Sequence, residues 1–303
     1  MKLVHEPVLS PLTRTADVEH IGNLLSSELI PAWEQSFGID ITAQLKGVTA
    51  IDIYRCKKTD LIFFWPPDLE GDQDLYQQLS RQDWYYMENK WEYDRALQDL
   101  MRCERILEIG CGSGAFLEKL KKNGLSAEGV ETNPQAADAA RAKGLAVFSQ
   151  GLDQLNAENT YGGICLFQTL EHVADPYGFL NSALGLLKAG GKLIVSVPNH
   201  GAFLKDAKNS LLEQPPHHLT QWNESSLKSL AGIFPLKLNR ILCEPLAAYH
   251  VDWYCDIQSR KIKGLGKFGQ ALFQMAGKGL LRFRTVRRLI KGHTIYCCYE
   301  KTN

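Results

Sequence analysis

The residues best suited to chemistry follow a short apolar segment near the middle of the chain. This segment, predicted as a buried strand, leads into a loop with Gly110, Gly112 and Gly114, and Glu108 stands two residues before the first glycine. Glycines let the backbone turn sharply and approach a ligand closely, and the helix that follows starts with partial positive charge. Glu131 comes 21 residues after Gly110 at the next strand end, where a carboxylate can accept both hydroxyls of a ribose. The spacing predicts a site for a nucleoside-containing cofactor.

Two cofactor classes fit this pattern. Gly110-x-Gly112-x-x-Ala115 satisfies the dinucleotide fingerprint, and its distance from Glu131 suits NAD. Glu108-x-Gly110-x-Gly112-x-Gly114 instead resembles the first motif of the class I S-adenosylmethionine-dependent methyltransferases. Later segments resemble the same family in order and spacing: FQTLEHVADP (167–176), LLKAGGKLIVSVPN (186–199) and PPHHLTQW (215–222). The chain is identified as a member of this family, with an NAD-dependent Rossmann oxidoreductase and a non-catalytic cofactor-binding partner as alternatives.

The resemblance implies S-adenosyl-L-methionine as the cofactor and a set of residues that bind it. In the family the glycine loop passes the methionine moiety, the acid after the second strand holds the ribose, and the third strand leads to the adenine contacts. Carried onto this chain, the cofactor-binding residues are Glu108, Gly110, Cys111, Gly112, Gly114, Glu131, Thr132, Gly151, Leu152, Phe167 and Gln168.

The resemblance also implies catalytic and acceptor-binding residues among the histidines and aromatics. His172 and His218 are the candidates for proton removal or acceptor orientation, because imidazole titrates near neutral pH. His217, Tyr249 and His250 are the candidate substrate contacts. The sequence shows no carboxylate or thiolate cluster to match the adjacent histidines, so no metal site is predicted.

Alternating strands and helices are predicted to position these residues. Candidate strands cover 105–109, 126–131, 145–149, 162–168, 191–197 and 236–243, and helix caps precede Pro134 and Pro176. The predicted fold is α/β: a Rossmann-like doubly wound sheet of parallel strands. By resemblance, the segment 292–301 is an antiparallel last strand. The methyltransferase domain is assigned to 101–243 and 292–303, and the intervening 244–291 to a helical lid insertion.

The first hundred residues are predicted to form a separate hairpin and helical module. Segment 47–67 resembles the zinc-binding hairpin of sugar and glycan methyltransferases, but only Cys56 of its usual cysteine pairs is present, with Thr59 at its partner's position. One cysteine cannot complete a zinc site, so a metal-free hairpin is expected. Trp84, Met87 and Trp91 fall at helical spacing, and Trp84, Tyr85 or Tyr86 is a candidate cover for the cofactor.

Charge and cysteine content limit which partners and which cellular compartment are expected. The chain has 34 Lys and Arg against 34 Asp and Glu, which gives no overall charge for nucleic acid. Residues 257–299 nevertheless contain ten Lys or Arg and no acid. This stretch is interpreted as a rim for an anionic or nucleotide-linked acceptor, a peripheral membrane contact or a solvated face. With no apolar run of 18 residues and no secreted cysteine framework, a cytoplasmic protein is expected.

The function predicted from these observations is methyl transfer from S-adenosylmethionine to an oxygen or carbon of a small-molecule acceptor. The hairpin and the PPHHLTQW segment resemble those of enzymes acting on sugars, so a sugar, a nucleotide sugar or a glycan is the expected acceptor class.

Overall fold

The computed structural model describes residues 7–82, 85, 87–155, 158–207, 209–262, 264 and 266–303. The strands are β1 (Val18–Leu25), β2 (Ala50–Cys56), β3 (Ile62–Trp65), β4 (Ile106–Ile109), β5 (Ala127–Val130), β6 (Ala146–Phe148), β7 (Tyr161–Phe167), β8 (Leu187–Pro198), β9 (Thr220–Gln221), β10 (Leu236–Pro245) and β11 (Lys291–Lys301). The helices are α1 (Ser26–Phe37), α2 (Gln73–Ser80), α3 (Trp91–Leu100), α4 (Ala115–Lys122), α5 (Pro134–Ala142), α6 (Pro176–Leu186), α7 (Glu224–Ile233), α8 (Val251–Lys261), α9 (Lys267–Leu280) and α10 (Arg284–Arg287).

A seven-stranded sheet in the order β10-β11-β8-β7-β4-β5-β6 forms the centre of the molecule. Strands β4 to β8 pair in parallel, and β11 lies antiparallel between β8 and β10. Strand β4 is buried along its whole length, which is why its sequence is a nearly continuous apolar run. The predicted α/β sheet with an antiparallel last strand is confirmed.

Helix starts are set by the side chains that the sequence placed before them. Asn133 accepts a hydrogen bond from the backbone N–H of Gln135, and Asp175 accepts one from Gly178. Asn223 forms a full capping box with Ser226. Each cap satisfies backbone donors that would otherwise lack partners at a helix start. The loops after β5 and β7, which carry candidate site residues, are therefore anchored at both ends.

A second, four-stranded sheet covers one end of the central one. Its order is β1-β2-β3-β9, so the N-terminal hairpin pairs with a short strand that directly follows the two adjacent histidines. Cys56 is fully buried, and its thiol contacts the hydroxyl of Thr13.

The expectation of a helix through Trp84, Met87 and Trp91 is wrong for the described residues, since Met87 is in irregular structure and Trp91 begins α3. Trp84 and Tyr86 lie outside the described residues.

Three helices, α8 to α10, connect β10 to β11. Helices α8 and α9 are joined side by side, with Gln274 of α9 donating hydrogen bonds to Asp256 and Ser259 of α8. Leu265, between them, lies outside the described residues. Among the helices that the structure describes, each is too short or too polar to cross a lipid bilayer.

Candidate functional site

A cavity of about 870 Å³ opens at the carboxyl ends of the parallel strands. Its wall contains most of the residues that the sequence singled out: Gly110, Cys111, Gly112, Glu131, Thr132, Phe167, Gln168, His172, His217, His218, Tyr249 and His250. The glycine loop lies in the same cavity as the histidines. One ligand in this cavity can therefore contact both groups.

The glycine loop is held in shape by Glu131. Its carboxylate accepts a hydrogen bond from the backbone N–H of Gly112 at 2.8 Å and one from Asn133 at 2.7 Å. Burial raises the pKa of Glu131, and these backbone donors oppose that rise. Each carboxylate oxygen has further acceptor capacity, so Glu131 can also take ribose hydroxyls. Gly110 has φ near 76°, and a Cβ there would lie 2.6 Å from the hydroxyl of Thr169.

Four predicted cofactor residues do not line the cavity. Glu108 lies in β4, just before the loop, and is only 1% exposed. This burial raises the pKa of its carboxyl group well above the ordinary value. Gly114 packs closely against Leu145 instead, since a Cβ on it would lie 2.4 Å from that side chain. Gly151 and Leu152 follow β6 but lie outside the wall, and Leu152 packs on the main core. Direct contact between these four residues and the cofactor stays a prediction.

Gln168 supplies a polar group that the folded chain leaves without a partner. It has φ near 52°, in the left-handed region, and its side-chain nitrogen is buried with no acceptor among the described residues. A buried donor without an acceptor is unfavourable, so this amide is well suited to a bound ligand. Phe167, beside it, packs against Phe116 and Tyr93 and fixes the end of β7.

Three histidines meet on the opposite side of the cavity. The ring centroids of His172, His217 and His218 lie 4.5 to 4.8 Å apart. Nδ1 of His172 lies 2.6 Å from the carbonyl oxygen of His217, and Nδ1 of His217 lies 2.9 Å from that of Leu212. A carbonyl can only accept, so both Nδ1 atoms carry the proton. Burial and the neighbouring His218 lower the pKa of His172 to about 3, and burial also lowers the pKa of His217.

Glu213, which sequence reasoning missed, sits at the centre of a second group of histidines. Its carboxylate lies 2.8 Å from Nε2 of His200, 3.2 Å from Nδ1 of His218 and 3.6 Å from Nε2 of His293. Burial would raise the pKa of Glu213, but these imidazoles hold it well below the ordinary value. The ionised carboxylate fixes the proton of His218 on Nδ1 and leaves its Nε2 as the acceptor.

Aromatic side chains complete the wall around the histidines. The hydroxyl of Tyr76 lies 3.3 Å from Nδ1 of His172, and that of Tyr85 lies 3.4 Å from Nε2 of His217. Trp253 and His250 of the connecting segment close the other side. Tyr85 was a predicted cofactor cover and lies here among the histidines, and Trp253 belongs to the same polar-aromatic segment as the predicted contacts Tyr249 and His250. Tyr76 carries no motif and comes from a segment that only the tertiary fold brings to the cavity.

A family model described as a methyltransferase domain matches residues 75–234, more than half of the chain. The chain belongs to the methyltransferase domain family. The predicted family and cofactor, S-adenosylmethionine, are thereby confirmed, and the NAD alternative is set aside.

Individual methyltransferases are also similar to this chain. The ubiquinone biosynthesis O-methyltransferase of Xanthomonas oryzae pv. oryzae (strain PXO99A) is 32% identical over 103 residues, which cover 31% of this chain and 43% of that protein. Its namesake from Vibrio parahaemolyticus serotype O3:K6 (strain RIMD 2210633) is 27% identical over 140 residues, covering 44% of this chain and 57% of that one. The chain spans about half the length of the curated relatives it matches. A SAM-dependent methyltransferase structure from Archaeoglobus fulgidus is 18% identical with a TM-score of 0.50, covering 76% of this chain and 95% of that one, and shows the shared fold.

The residues of this chain fit the cofactor that the family uses. The loop offers a close backbone approach at Gly110 and Gly112, and Glu131 has remaining acceptor capacity. The amide nitrogen of Gln168 has no partner within the described part of the chain. These groups match the polar ends of a molecule with ribose hydroxyls and an amino-acid moiety. Phe167 and Tyr93 line the same wall and add apolar surface to it.

Proposed function

We propose that this protein transfers the methyl group of S-adenosylmethionine to an oxygen atom of a small-molecule acceptor. The main support is that one cavity contains both the glycine loop and a histidine paired with a buried carboxylate. The two relatives are named ubiquinone biosynthesis O-methyltransferases, which supports oxygen as the receiving atom.

In the proposed reaction the acceptor hydroxyl lies between the sulfonium methyl group and His218. The oxygen forms a bond to the methyl carbon while the carbon–sulfur bond breaks and its electron pair returns to sulfur, which gives S-adenosylhomocysteine. The hydroxyl proton passes to Nε2 of His218, and the hydrogen bond from Nδ1 to Glu213 stabilises the resulting imidazolium. In other enzymes, too, a carboxylate beside a histidine orients the imidazole and stabilises its protonated form.

His218 is a better candidate for the proton acceptor than His172. Both are buried, but the Nδ1 proton of His218 faces an ionised carboxylate, whereas that of His172 faces a neutral carbonyl. A carboxylate stabilises a developing positive charge more strongly than a carbonyl does. His172 is therefore proposed to orient the acceptor, and His217, Tyr249 and His250 to contact it.

The proposed acceptor class is a hydroxyl-bearing sugar, nucleotide sugar or glycan. The aromatic rings of Tyr76, Tyr85 and Trp253 in the wall support a flat or ring-shaped acceptor. A panel of free sugars, nucleotide sugars, oligosaccharides and hydroxylated aromatic compounds, incubated with methyl-labelled cofactor, tests this class. Methyl ether formation on a sugar is expected. Label transfer confined to aromatic hydroxyls would contradict the sugar assignment, and no transfer at all would favour a non-catalytic binding protein.

His218→Asn is expected to lower kcat by about 10²–10⁴-fold, because a positioned general base contributes that range. Glu213→Gln should lower kcat in the same direction, while the affinity for S-adenosylhomocysteine stays close to the wild-type value. His20→Asn, in the N-terminal sheet, is the matched control and should keep full turnover. Full turnover in both His172→Asn and His218→Asn would place the proton acceptor elsewhere.

The basic segment is proposed to contact an anionic membrane surface that carries the acceptor. The expected rim of Arg282, Arg284 and Arg287 is absent from the described cavity wall, and Arg287 donates instead to the carbonyls of Leu281 and Arg282. These cations therefore do not line the acceptor site. A cytoplasmic location remains part of the proposal, supported by eight cysteines that are all free thiols.

A further inference from the structure

We infer that His172, His217 and His218 bind a divalent transition-metal ion, with Zn²⁺ as the best-matched ion, at the acceptor end of the cavity. One ring nitrogen from each residue can be chosen so that all three lie within 4.8 Å of one another. Sequence motifs do not predict this cluster, because His172 is 45 residues from His217. The fold supplies the third ligand that the adjacent pair lacks.

The hydrogen bonds of the three rings prepare them as ligands. Each Nδ1 already faces a fixed acceptor: the carbonyl of His217, the carbonyl of Leu212 and the carboxylate of Glu213, respectively. The proton of each neutral ring is thus on Nδ1, and the lone pair is on Nε2. Metal-binding histidines almost always donate their other ring N–H to a carbonyl or carboxylate in this way.

The donor set also narrows the choice of ion. Three imidazoles with an open fourth position suit Zn²⁺ and neighbouring transition metals, whereas Mg²⁺ and Ca²⁺ prefer oxygen ligands. A tetrahedral ion with bonds of about 2.0–2.1 Å holds its ligands roughly 3.4 Å apart, so binding draws the rings closer by side-chain rotation. Once Nε2 of His217 binds the ion, it can no longer accept a hydrogen bond from the hydroxyl of Tyr85, which lies 3.4 Å away.

A second observation in the same wall points to a missing ligand. Both carboxylate oxygens of Glu171, which is 1% exposed, are buried without a hydrogen-bond partner outside their own residue in the described structure. Glu171 precedes His172 directly and lines the same cavity. A buried carboxyl group without a partner is unfavourable unless a donor or a cation satisfies it.

The consequence for catalysis rests on the proposed methyl transfer, whereas the binding of the ion does not. With the ion in place, Nε2 of His218 would be one of its three protein ligands. An ion held there would supply Lewis-acid chemistry, which would lower the pKa of an acceptor hydroxyl that reached it. The metal-loaded protein therefore uses His218 to hold and orient the acceptor through the ion, and the metal-free protein uses it as the base.

Titration calorimetry of the full chain, stripped with a chelator and then supplied with ZnCl₂, tests the site. One equivalent of Zn²⁺ is expected per chain. His172→Ala, His217→Ala and His218→Ala should each weaken binding by more than roughly 100-fold, and Glu213→Gln by about 10–100-fold as an outer partner. His20→Ala is the matched control and should bind Zn²⁺ like the wild type. MgCl₂ should give no comparable heat.

Two further readouts distinguish an ion held by the three histidines from one held by cysteines or by an unfolded chain. S-adenosylhomocysteine binding, measured on every variant, shows that the fold is intact. Co²⁺ substitution should give the absorption of a nitrogen-ligated ion without a thiolate-to-cobalt band. A thiolate band, no binding by the wild type, or unchanged binding by His217→Ala would overturn the site. Zn²⁺ binding at the triad without any methyl transfer would refute the proposed function alone, and methyl transfer by a protein that binds no ion would refute the metal site alone.

Discussion

Glu213 determines the chemistry available to several imidazoles at once. It is the acceptor for His218 and His200 and lies close to His293, and its carboxylate and the rings of His218 and His200 are buried. A carboxylate in such surroundings keeps its charge only because several donors point at it. Loss of that one charge changes the hydrogen bonding of every neighbour. The histidines are therefore best understood as one connected group.

Glu131 gives a prediction about cofactor binding. Glu131→Ala removes an acceptor that ties Gly112 and Asn133 together and that has capacity for ribose hydroxyls. Hydrogen bonds to a charged group contribute about 1.5–3 kcal/mol, so affinity for S-adenosylhomocysteine should fall by that amount in calorimetry. Asp138→Ala, an exposed acid on α5, is the control and should bind normally. An unchanged affinity in Glu131→Ala would remove this residue from the cofactor site.

Glu244 gives a prediction about stability and pH. Burial, together with the negative charge of Glu92, raises its pKa to about 7, although His293 and the bond from the Thr294 N–H oppose the rise. Because the folded pKa exceeds the unfolded value of 4.5, the folded state binds more protons between these pH values. The stabilisation that the folded state gains from protonated Glu244 is fully present below pH 4.5 and is lost as the pH rises through 7.

The test compares unfolding free energies of the wild type and Glu244→Gln between about pH 5 and pH 8. Relative to the wild type, the variant should gain on the order of 3 kcal/mol as the pH rises, since each pKa unit corresponds to about 1.4 kcal/mol. Glu34→Gln, a solvent-facing acid on α1, should track the wild type at every pH. Parallel curves for wild type and Glu244→Gln would show that this carboxyl titrates normally.

At the scale of elements, the strands and helix starts could be predicted because their signals are local. The predicted strand at 105–109 is β4, and the one at 236–243 is β10 with two further residues. The hydrophobic periodicity and the capping side chains determine such elements within a few residues of sequence. Strand β1 and helix α1 were not predicted, because their amphipathic patterns are weak and β1 is mostly exposed.

A site residue could be predicted only where a single sequence motif identifies both that residue and the strand or loop that positions it. The glycine loop and Glu131 meet that condition, and so do His172 and the adjacent pair. Glu213, His200 and His293 belong to different segments and meet only when β8 and β11 pair. A signal was available, since His200 follows the end of a predicted strand, where ligands of parallel sheets bind.

Gly114 gives a prediction about the loop as an element. Gly114→Ala places a Cβ 2.4 Å from Leu145 and 3.2 Å from Ala140, in a backbone with φ near 81°. Gly124 shares that conformation, with φ near 75°, but has open space around it. Urea unfolding should therefore show a loss of about 1–2 kcal/mol for Gly124→Ala from the left-handed backbone alone, and about 1–3 kcal/mol more for Gly114→Ala from overpacking. Equal losses would mean that Leu145 moves aside freely.

At the scale of the whole molecule, charge and apolar exposure are concentrated in the same segment. Phe268, Leu272 and Met275 are exposed on one face of α9, at 85%, 54% and 68% respectively, while the other face packs on α8. Leu289 nearby is 86% exposed. The surrounding residues 257–299 contain only basic charges. Apolar side chains that enter a bilayer interface, flanked by Lys and Arg, are typical of a helix that lies on an anionic membrane.

This surface predicts selective binding to vesicles. The full chain should sediment with vesicles that contain phosphatidylglycerol and much less with pure phosphatidylcholine, and added salt should weaken the binding because it screens the basic residues. Leu272→Asp and Met275→Asp should each reduce the bound fraction several-fold, since each places a charge where an apolar side chain enters the interface. Ile21→Asp, at an exposed apolar residue of the N-terminal sheet, is the control and should bind like the wild type. If all four proteins sediment equally with both lipids, α9 is a solvated face, and the acceptor reaches the cavity from solution.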